Sequence, residues 1–238
     1  MRLDKLLSTL DYGSRKTIKK LAKDGFITVN DTIIKDASFQ VNPNLDVIKI
    51  NQTRVFYQDQ VVIMMHKPSG YVCANQDPLH KTVFELLKEP FNRYPLSIAG
   101  RLDKDTEGLL IFSDDGSLIH QIIHPKKSVY KTYLVKTLND VENIDVLVEP
   151  MTLLDGKGNP YQVMKPMVKK LKACTYEVKI KEGKFHQIKR MFEHINHQVV
   201  YLKRTAIHDL VLDEALEIGA YKVLNQEEIN KLIPKKNL

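Results

Sequence analysis

The segment 100–110, GRLDKDTEGLL, places many charged residues directly before an apolar run. The run 108–112 is short and is closed by turn residues, which is typical of a buried β-strand. Asp103 lies just before this run, between Arg101 and Lys104. A carboxylate beside fixed cations stays ionised, and an ionised carboxylate that is partly removed from water can act as a nucleophile. Asp103 is therefore a candidate catalytic group, and a surface aspartate in a polar loop is the alternative.

Metal binding is a further interpretation of the same segment, because Asp103 and Asp105 carry the oxygen ligands that Mg²⁺ prefers. A lysine separates them, however, and no third carboxylate cluster lies near them in sequence. Two close histidine pairs also lack a neighbouring Glu or Cys that would complete a ligand set; they are His120 with His124 and His194 with His197. The sequence therefore predicts no metal site.

The charge composition of the chain indicates which kind of partner it binds. The 238 residues include 36 Lys and Arg against 29 Asp and Glu, a net charge of +7 with a sequence pI near 9.2, which favours a polyanionic partner such as nucleic acid. No stretch reaches the roughly 18 apolar residues of a membrane helix, and the opening residues lack the apolar region of a signal peptide. Cys73 and Cys174 lie far apart. We therefore predict a reduced cytoplasmic protein without membrane contact.

The first 58 residues predict a separate helix–helix–sheet domain, with residues 51–58 as its linker. Leucines at 3, 6, 7 and 10 have helical spacing, and Ser14 is a candidate N-cap for a second helix over 15–23. Strands are expected over 26–29 and 47–50. The second helix carries a run of basic residues that could follow a phosphate backbone, and the alternative is a solvated helix face. This basic ridge consists of Arg15, Lys16, Lys19, Lys20 and Lys23.

Residues 59–238 predict one larger domain in which strands and helices mix without strict alternation. Apolar runs and alternating patterns predict strands over 61–65, 108–112, 130–135, 174–180, 199–202 and 210–212. Helical patterns cover 83–88, 118–123 and 185–195, and Asn225 with Glu228 predicts a capping box for a last helix. The expected fold is α+β, with a mixed, largely antiparallel sheet and flanking helices.

The opening, MRLDKLLSTLDYGSRKTIKKLAKDGFITVND, resembles the S-four domain, a small RNA-binding module. Four later segments resemble the ordered motifs of pseudouridine synthases, and together with the opening they make the whole chain similar to the Rsu subfamily, which modifies ribosomal RNA. The segments are YVCANQDPLHKTV (71–83), AGRLDKDTEGLLIFSDDG (99–116), KTYLV (131–135) and EGKFHQIKRMF (182–192). The first of them and the MRLDK opening are most similar to the member that acts on small-subunit (16S) rRNA.

The resemblance implies a role for particular residues. Asp103 matches the catalytic aspartate, Tyr133 matches the tyrosine that stacks on the target uracil, and Lys189 matches the basic residue paired with the aspartate. Without the resemblance, Tyr133 would be interpreted as a core residue and Lys189 as an exposed helix lysine. RNA contacts are implied for Arg101, Arg2, Arg15, Lys16, Lys19 and Lys20.

The resemblance also implies an activity, isomerisation of a ribosomal uridine to pseudouridine by a monomer that requires no cofactor. The substrate would be 16S rRNA or a pre-ribosomal small-subunit particle. Three alternatives stay open: a non-catalytic ribosome assembly factor, a synthase for 23S rRNA, and a metal-dependent nuclease. Two positions depart from the family pattern: His66 precedes Lys67 where relatives commonly carry Asn, and His208 follows Ile207 where relatives usually carry Gly.

Overall fold

The structure, a computed structural model, describes residues 1–234, and the chain divides into two compact units. The first unit comprises Met1–Val61 and Leu87–Leu96, and the second comprises Val62–Leu86 and the described residues from Ser97 onward. Within residues 1–234, no helix combines the length and the apolar content needed to cross a bilayer.

Two short helices and a small antiparallel sheet form the main part of the first unit. The helices are α1 (Leu3–Thr9) and α2 (Arg15–Lys23). The strands β1 (Ile27–Val29), β2 (Thr32–Ile33), β3 (Ile48–Ile50) and β4 (Thr53–Arg54) follow the order β2-β1-β3-β4. Ser14 accepts a hydrogen bond from the Thr17 amide at 3.1 Å, so the predicted N-cap of α2 is confirmed. The leucines with helical spacing are buried, as their pattern indicates.

The segment Leu87–Leu96 belongs to the first unit, whereas the boundary expected from sequence places it in the second domain. Its short 3₁₀ helix, Phe91–Arg93, brings aromatic rings together: Phe56 contacts the rings of Phe91 and Tyr94 at centroid distances of 5.7 and 6.3 Å. The Tyr94 hydroxyl also accepts a hydrogen bond from the Gln58 amide at 2.8 Å. These contacts are non-local, so local sequence pattern carries no signal for them.

One large sheet organises the second unit, and within the described residues it has nine strands. They are β5 (Val62–Lys67), β6 (Ser97–Ile98), β7 (Glu107–Ser113), β8 (Lys131–Thr137), β11 (Met167–Lys172), β12 (Thr175–Ile180), β13 (Val199–Ile207), β14 (Leu210–Val211) and β15 (Tyr221–Val223). A separate hairpin pairs β9 (Thr152–Leu154) with β10 (Pro160–Gln162). The helices are α3 (Gly116–Ile123), α4 (Gln187–His194) and α5 (Gln226–Asn230), with 3₁₀ turns at Val83–Leu86, Pro125–Lys127 and Ile144–Val148.

The sheet has the order β11-β12-β8-β13-β7-β5-β15, with β14 paired to β13 and β6 to β7. Among the described strands, β13 with β7 is the single parallel pair. The predicted α+β fold with a mixed, largely antiparallel sheet is thus confirmed. The capping box of α5 is confirmed as well, because Asn225 and Glu228 exchange hydrogen bonds with each other's backbone amides at 3.0 Å.

The parallel pair β7–β13 requires a glycine at position 108. Gly108 lies opposite Arg204 and has φ +109°, a backbone conformation that L side chains rarely adopt. A Cβ at position 108 would lie 2.2 Å from the carbonyl oxygen of Arg204 and 2.7 Å from its amide nitrogen. Both neighbours are backbone atoms of a central strand, so the clash can be relieved only by separating the two strands.

We therefore expect Gly108→Ala to destabilise the second unit by about 2–4 kcal/mol, through backbone strain and the strand clash together. Gly158→Ala is the matched control, because Gly158 has φ +83° and no atom within 4 Å of the point that a Cβ would occupy, so that only the strain contributes. Urea unfolding followed by circular dichroism compares the two variants. Equal losses of stability would show that the close approach of the strands does not limit residue 108.

Candidate active site

A pocket of about 410 Å³ opens at the edge of three adjacent strands of the large sheet. Its apolar floor comes from Tyr133 on β8, Ile180 on β12 and Leu202 on β13. The walls come from three loops: 72–77, 101–106 and the turn 183–188 that leads into α4. Segments far apart in sequence therefore meet here, and three of the four motifs of the resemblance supply the walls.

Asp103 borders this pocket with a side chain that is 26% exposed. One of its oxygens, Oδ2, lies 3.7 Å from Lys189 Nζ, and the other, Oδ1, lies 3.6 Å from His186 Nε2. The carboxylate is thus neither deeply buried nor free in water, and it has the Lys189 ammonium near one oxygen and the His186 imidazole near the other. An ion pair of this length leaves lone pairs of the carboxylate available to a further partner.

Lys189 makes its short contacts with Asp105 rather than with Asp103. Its Nζ donates to the two carboxylate oxygens of Asp105 at 2.6 and 2.7 Å. Burial opposes ionisation of Asp105, but the hydrogen bond and charge of Lys189 hold the pKa of that carboxyl below its usual value. The ammonium thus lies close to both aspartates, in the place where a cation bridging the two carboxylates would have to bind.

Lys67 positions the loop that carries Asp103. Lys67 is the last residue of strand β5 and is fully buried. Its Nζ donates to the backbone carbonyls of Asp103, Lys104 and Thr106 at 3.1, 3.3 and 2.8 Å. It also donates to the Pro68 carbonyl at 3.0 Å. Burial lowers the pKa of this ammonium, while the nearby carboxylates of Asp105 and Asp103 oppose the shift. The carbonyls of Asp103 and Lys104 also accept from the amides of Thr106 and Gly70, so the ammonium adds a second hydrogen bond to each of them and one to the Thr106 carbonyl.

Arg204 supports the same loop from β13. Its side chain is buried, Nε donates to the Leu109 carbonyl at 2.8 Å, and Nη2 donates to the Gly100 carbonyl at 3.2 Å. The sequence alone indicates no role for Lys67 or Arg204. Each lies two residues beyond a predicted strand, but their targets are backbone carbonyls of distant segments, which the sequence does not reveal.

The remaining predicted residues of this unit also lie at the pocket. Tyr133 is 7% exposed and contributes its ring to the pocket lining, and Arg101 is exposed at the pocket wall. Cys73, expected from sequence only as a reduced thiol, lines the pocket as well, and its Sγ accepts a hydrogen bond from the Leu102 amide at 3.4 Å. Burial raises the pKa of the Cys73 thiol, so it stays neutral in the lining that it shares with Asp103.

The basic ridge lies in the first unit, on one exposed side of α2. All five of its side chains are exposed, while Ile18 and Ala22 turn toward the core of the unit. Arg2 is placed differently: its guanidinium donates to both oxygens of the buried Asp4 at 3.0 and 2.8 Å. Arg2 is 45% exposed, but part of its charge neutralises a carboxylate of its own unit.

The two departures from the family pattern have local structural consequences. His66 is buried on β5, and its Nδ1 lies 2.8 Å from the Leu216 carbonyl oxygen. His208 occupies the two-residue turn between β13 and β14 with φ +51°, a conformation that glycine adopts without strain. Neither residue lines the pocket.

Two family models match this chain. The family model described as RNA pseudouridylate synthase matches residues 61–194, and the S4 domain model matches residues 1–47. An uncharacterized RNA pseudouridine synthase of Bacillus subtilis, YtzG, is 37% identical over 235 residues, with 98% of each chain covered.

Two further matches extend over nearly the whole chain. Ribosomal small subunit pseudouridine synthase A of Haemophilus influenzae is 35% identical over 234 residues, covering 98% of this chain and 100% of its relative. A solved structure described as a crystal structure of pseudouridylate synthase is 35% identical, with a TM-score of 0.67 over 98% of this chain and 100% of that chain.

The chain belongs to the RNA pseudouridylate synthase family and carries an S4 domain at its amino-terminal end. It is therefore an isomerase of RNA uridines, and the resemblance that its motifs indicated is confirmed.

The hydrogen bonds of Lys67 lead to a testable expectation about the loop. In Lys67→Met the loop carbonyls lose their ammonium donor, so the loop should open more often. The amides of Thr106 and Gly70, which donate to the carbonyls of Asp103 and Lys104, should then exchange with deuterium faster by about tenfold or more. Hydrogen–deuterium exchange with mass spectrometry measures this directly.

Lys104→Met serves as the control, because it removes an exposed lysine of the same loop. Amides of β12 report whether the rest of the unit stays folded in either variant. Unchanged exchange around residues 103–106 in Lys67→Met would refute the role given to the buried ammonium.

Proposed function

We propose that this chain converts a specific uridine of small-subunit (16S) ribosomal RNA to pseudouridine, and that Asp103 initiates the reaction. The observation that carries the proposal is the position of the Asp103 carboxylate, at the wall of a pocket floored by the Tyr133 ring and 3.7 Å from an ammonium group. The choice of substrate is supported by relatives named ribosomal small subunit pseudouridine synthase A, which are 35–36% identical over 96–98% of this chain.

The reaction is a rearrangement within one nucleotide. The bond between N1 of uracil and C1′ of ribose breaks, the base turns, and a bond forms between C5 and C1′. The proton on C5 leaves to solvent and N1 regains one, so atoms and electrons balance without a redox partner or a donated group. What the protein must supply is an anion at the ribose, a hold on the freed base and exclusion of water.

Asp103 and Tyr133 are proposed to supply the first two requirements, and Lys189 supports Asp103. Asp103 supplies the anion at the ribose, whether it bonds to C1′ or assists elimination. Tyr133 offers a nearly buried ring on which the uracil stacks while it turns. Lys189, already anchored by Asp105, places a positive charge 3.7 Å from the Asp103 carboxylate.

Access to the pocket requires that the target nucleotide leave the RNA stack. A base within a helix is shielded on both faces, so enzymes that act on its glycosidic bond extrude the nucleotide into a pocket. Arg101, exposed at the pocket wall, is proposed to contact the RNA around the extruded base. The basic ridge of α2 and the exposed part of Arg2 are proposed to hold the phosphate backbone.

Asp103→Asn should abolish the activity, with a decrease of at least about 10³-fold, because it keeps the size of the side chain but removes the anion. The measurement is tritium release from rRNA labelled at C5 of uracil, since the C5 proton leaves in every turnover. The assay contains a chelator, which leaves the proposed reaction intact and would stop a metal-dependent nuclease.

Asp105→Asn is the matched control, since it neutralises the neighbouring carboxylate and should reduce the activity far less than Asp103→Asn does. Full activity of Asp103→Asn would refute the mechanism. Tritium release from 23S rRNA alone, with none from 16S rRNA or small-subunit particles, would refute the substrate while leaving the mechanism in place.

Reversing two charges of the ridge, Lys19→Glu with Lys20→Glu, should weaken RNA binding and reduce its dependence on salt. Each phosphate that the protein no longer neutralises makes the plot of log affinity against log salt concentration shallower by about one unit of slope. Filter binding of a 16S transcript at several salt concentrations gives the slope.

The control with the same net charge is Lys5→Glu with Lys35→Glu, two exposed lysines of the first unit outside α2. If both double variants bind RNA alike, the ridge is only a solvated helix face.

A further inference from the structure

An exposed aromatic ring lies at the wall of the pocket and has no role in the reaction described above. Phe185 is 49% exposed and lines the pocket. It stacks on the imidazole of His186, with ring centroids 3.8 Å apart and planes 19° from parallel. The guanidinium of Arg190 lies over the Phe185 ring, 5.1 Å from its centroid. We call these three side chains the 185 stack.

The backbone turn that carries the 185 stack is held rigidly. The buried carboxylate of Glu182 accepts hydrogen bonds from the Gln187 side chain at 2.8 Å and from the Met164 amide at 2.9 Å. Gln187 in turn accepts one from the Lys184 amide at 3.0 Å, and His186 lies in the left-handed region with φ +51°. The ring of Phe185 is therefore presented at the surface by a fixed turn, so binding of a ligand to it costs little ordering entropy.

The 185 stack adjoins the catalytic carboxylate. His186 Nε2 lies 3.6 Å from Asp103 Oδ1, and the centroid of the Phe185 ring lies 3.8 Å from that of the His186 ring. A group resting on the stack would therefore be an immediate neighbour of the nucleotide that reacts at Asp103.

The surroundings of the 185 stack indicate what that group is. Lys184 and Arg101 are exposed along the same pocket lining, so a half-exposed aromatic surface lies among positive charges. Flat rings beside cations are the surface that unpaired nucleotides bind, since bases stack on the rings while phosphates meet the charges. An apolar peptide would leave the lysine and arginine charges without a partner.

We infer that the 185 stack binds the base of an unpaired nucleotide that flanks the target uridine in the RNA chain. The site is distinct from the Tyr133 ring, which is proposed to receive the uracil itself. This inference rests on the proposed function for the identity of its substrate. It makes the enzyme selective for a target whose neighbour is free of base pairing.

Fluorescence tests the inference without requiring turnover. The chain contains no tryptophan, so Phe185→Trp introduces a single indole at the stack. Addition of a 16S rRNA transcript should quench its emission, because a base in contact with the indole deactivates the excited state. Val211→Trp is the control, since Val211 is 62% exposed on β14 and does not line the pocket. Equal quenching at both positions, or none at position 185, would overturn the inference.

Steady-state kinetics provide the second readout. Phe185→Leu should raise KM for the RNA about tenfold and leave kcat unchanged, because a flanking base contributes equally to the ground state and the transition state. Phe185→Tyr should restore KM, whereas a ring that serves only to pack against Arg190 would not separate KM from kcat in this way. An unchanged KM in Phe185→Leu contradicts the inference.

The two proposals fail in different ways. If the wild-type protein forms no pseudouridine in 16S rRNA, the proposed substrate or activity is wrong, and the fluorescence experiment still decides whether RNA bases contact position 185. If the wild type is active and Phe185→Leu matches it, only the flanking-base site is wrong.

Discussion

The interaction on which the site depends is the hydrogen bonding between one buried ammonium group and the carbonyls of the loop that carries Asp103. Lys67 lies at the end of a central strand, and its ammonium group donates to the loop carbonyls of residues 103, 104 and 106. Burying a lysine is costly, and these hydrogen bonds together with the nearby carboxylates offset the cost. These hydrogen bonds fasten the loop at three carbonyls, and the Asp103 side chain borders the pocket.

The Lys189 ammonium interacts with two aspartates, and the two interactions differ in length. Asp105 takes the short hydrogen bonds of Lys189, and Asp103 keeps a longer ion pair with the same ammonium. An aspartate locked into a short salt bridge would have its lone pairs occupied, whereas Asp103 retains the stabilising field and keeps its oxygens accessible. The two aspartates thus have different positions, one as the anchor of the lysine and the other as the group proposed to react.

Local patterns in the sequence carried much of the architecture. Ser14 and Asn225 cap helices because their side chains compete for nearby amides, an effect that operates over three residues and is readable without a structure. Alternating and apolar runs located most strands of the large sheet. The ordered motifs identified the family and pointed to Asp103 and Tyr133, which the pocket brings together.

What the sequence determined by itself was therefore most of the elements, the family and the identity of the candidate reactive groups, because these follow from short-range pattern and residue type. Tertiary structure decided the rest: that Lys189 bonds to Asp105, that Lys67 and Arg204 hold the loop, and that Leu87–Leu96 joins the first unit. Each of these depends on side chains, backbone carbonyls or rings distant in the chain, and their positions exist only once the chain has folded. Gly108 shows both contributions. The sequence shows that residue 108 is a glycine, but only the folded structure shows the Arg204 backbone whose close approach requires it.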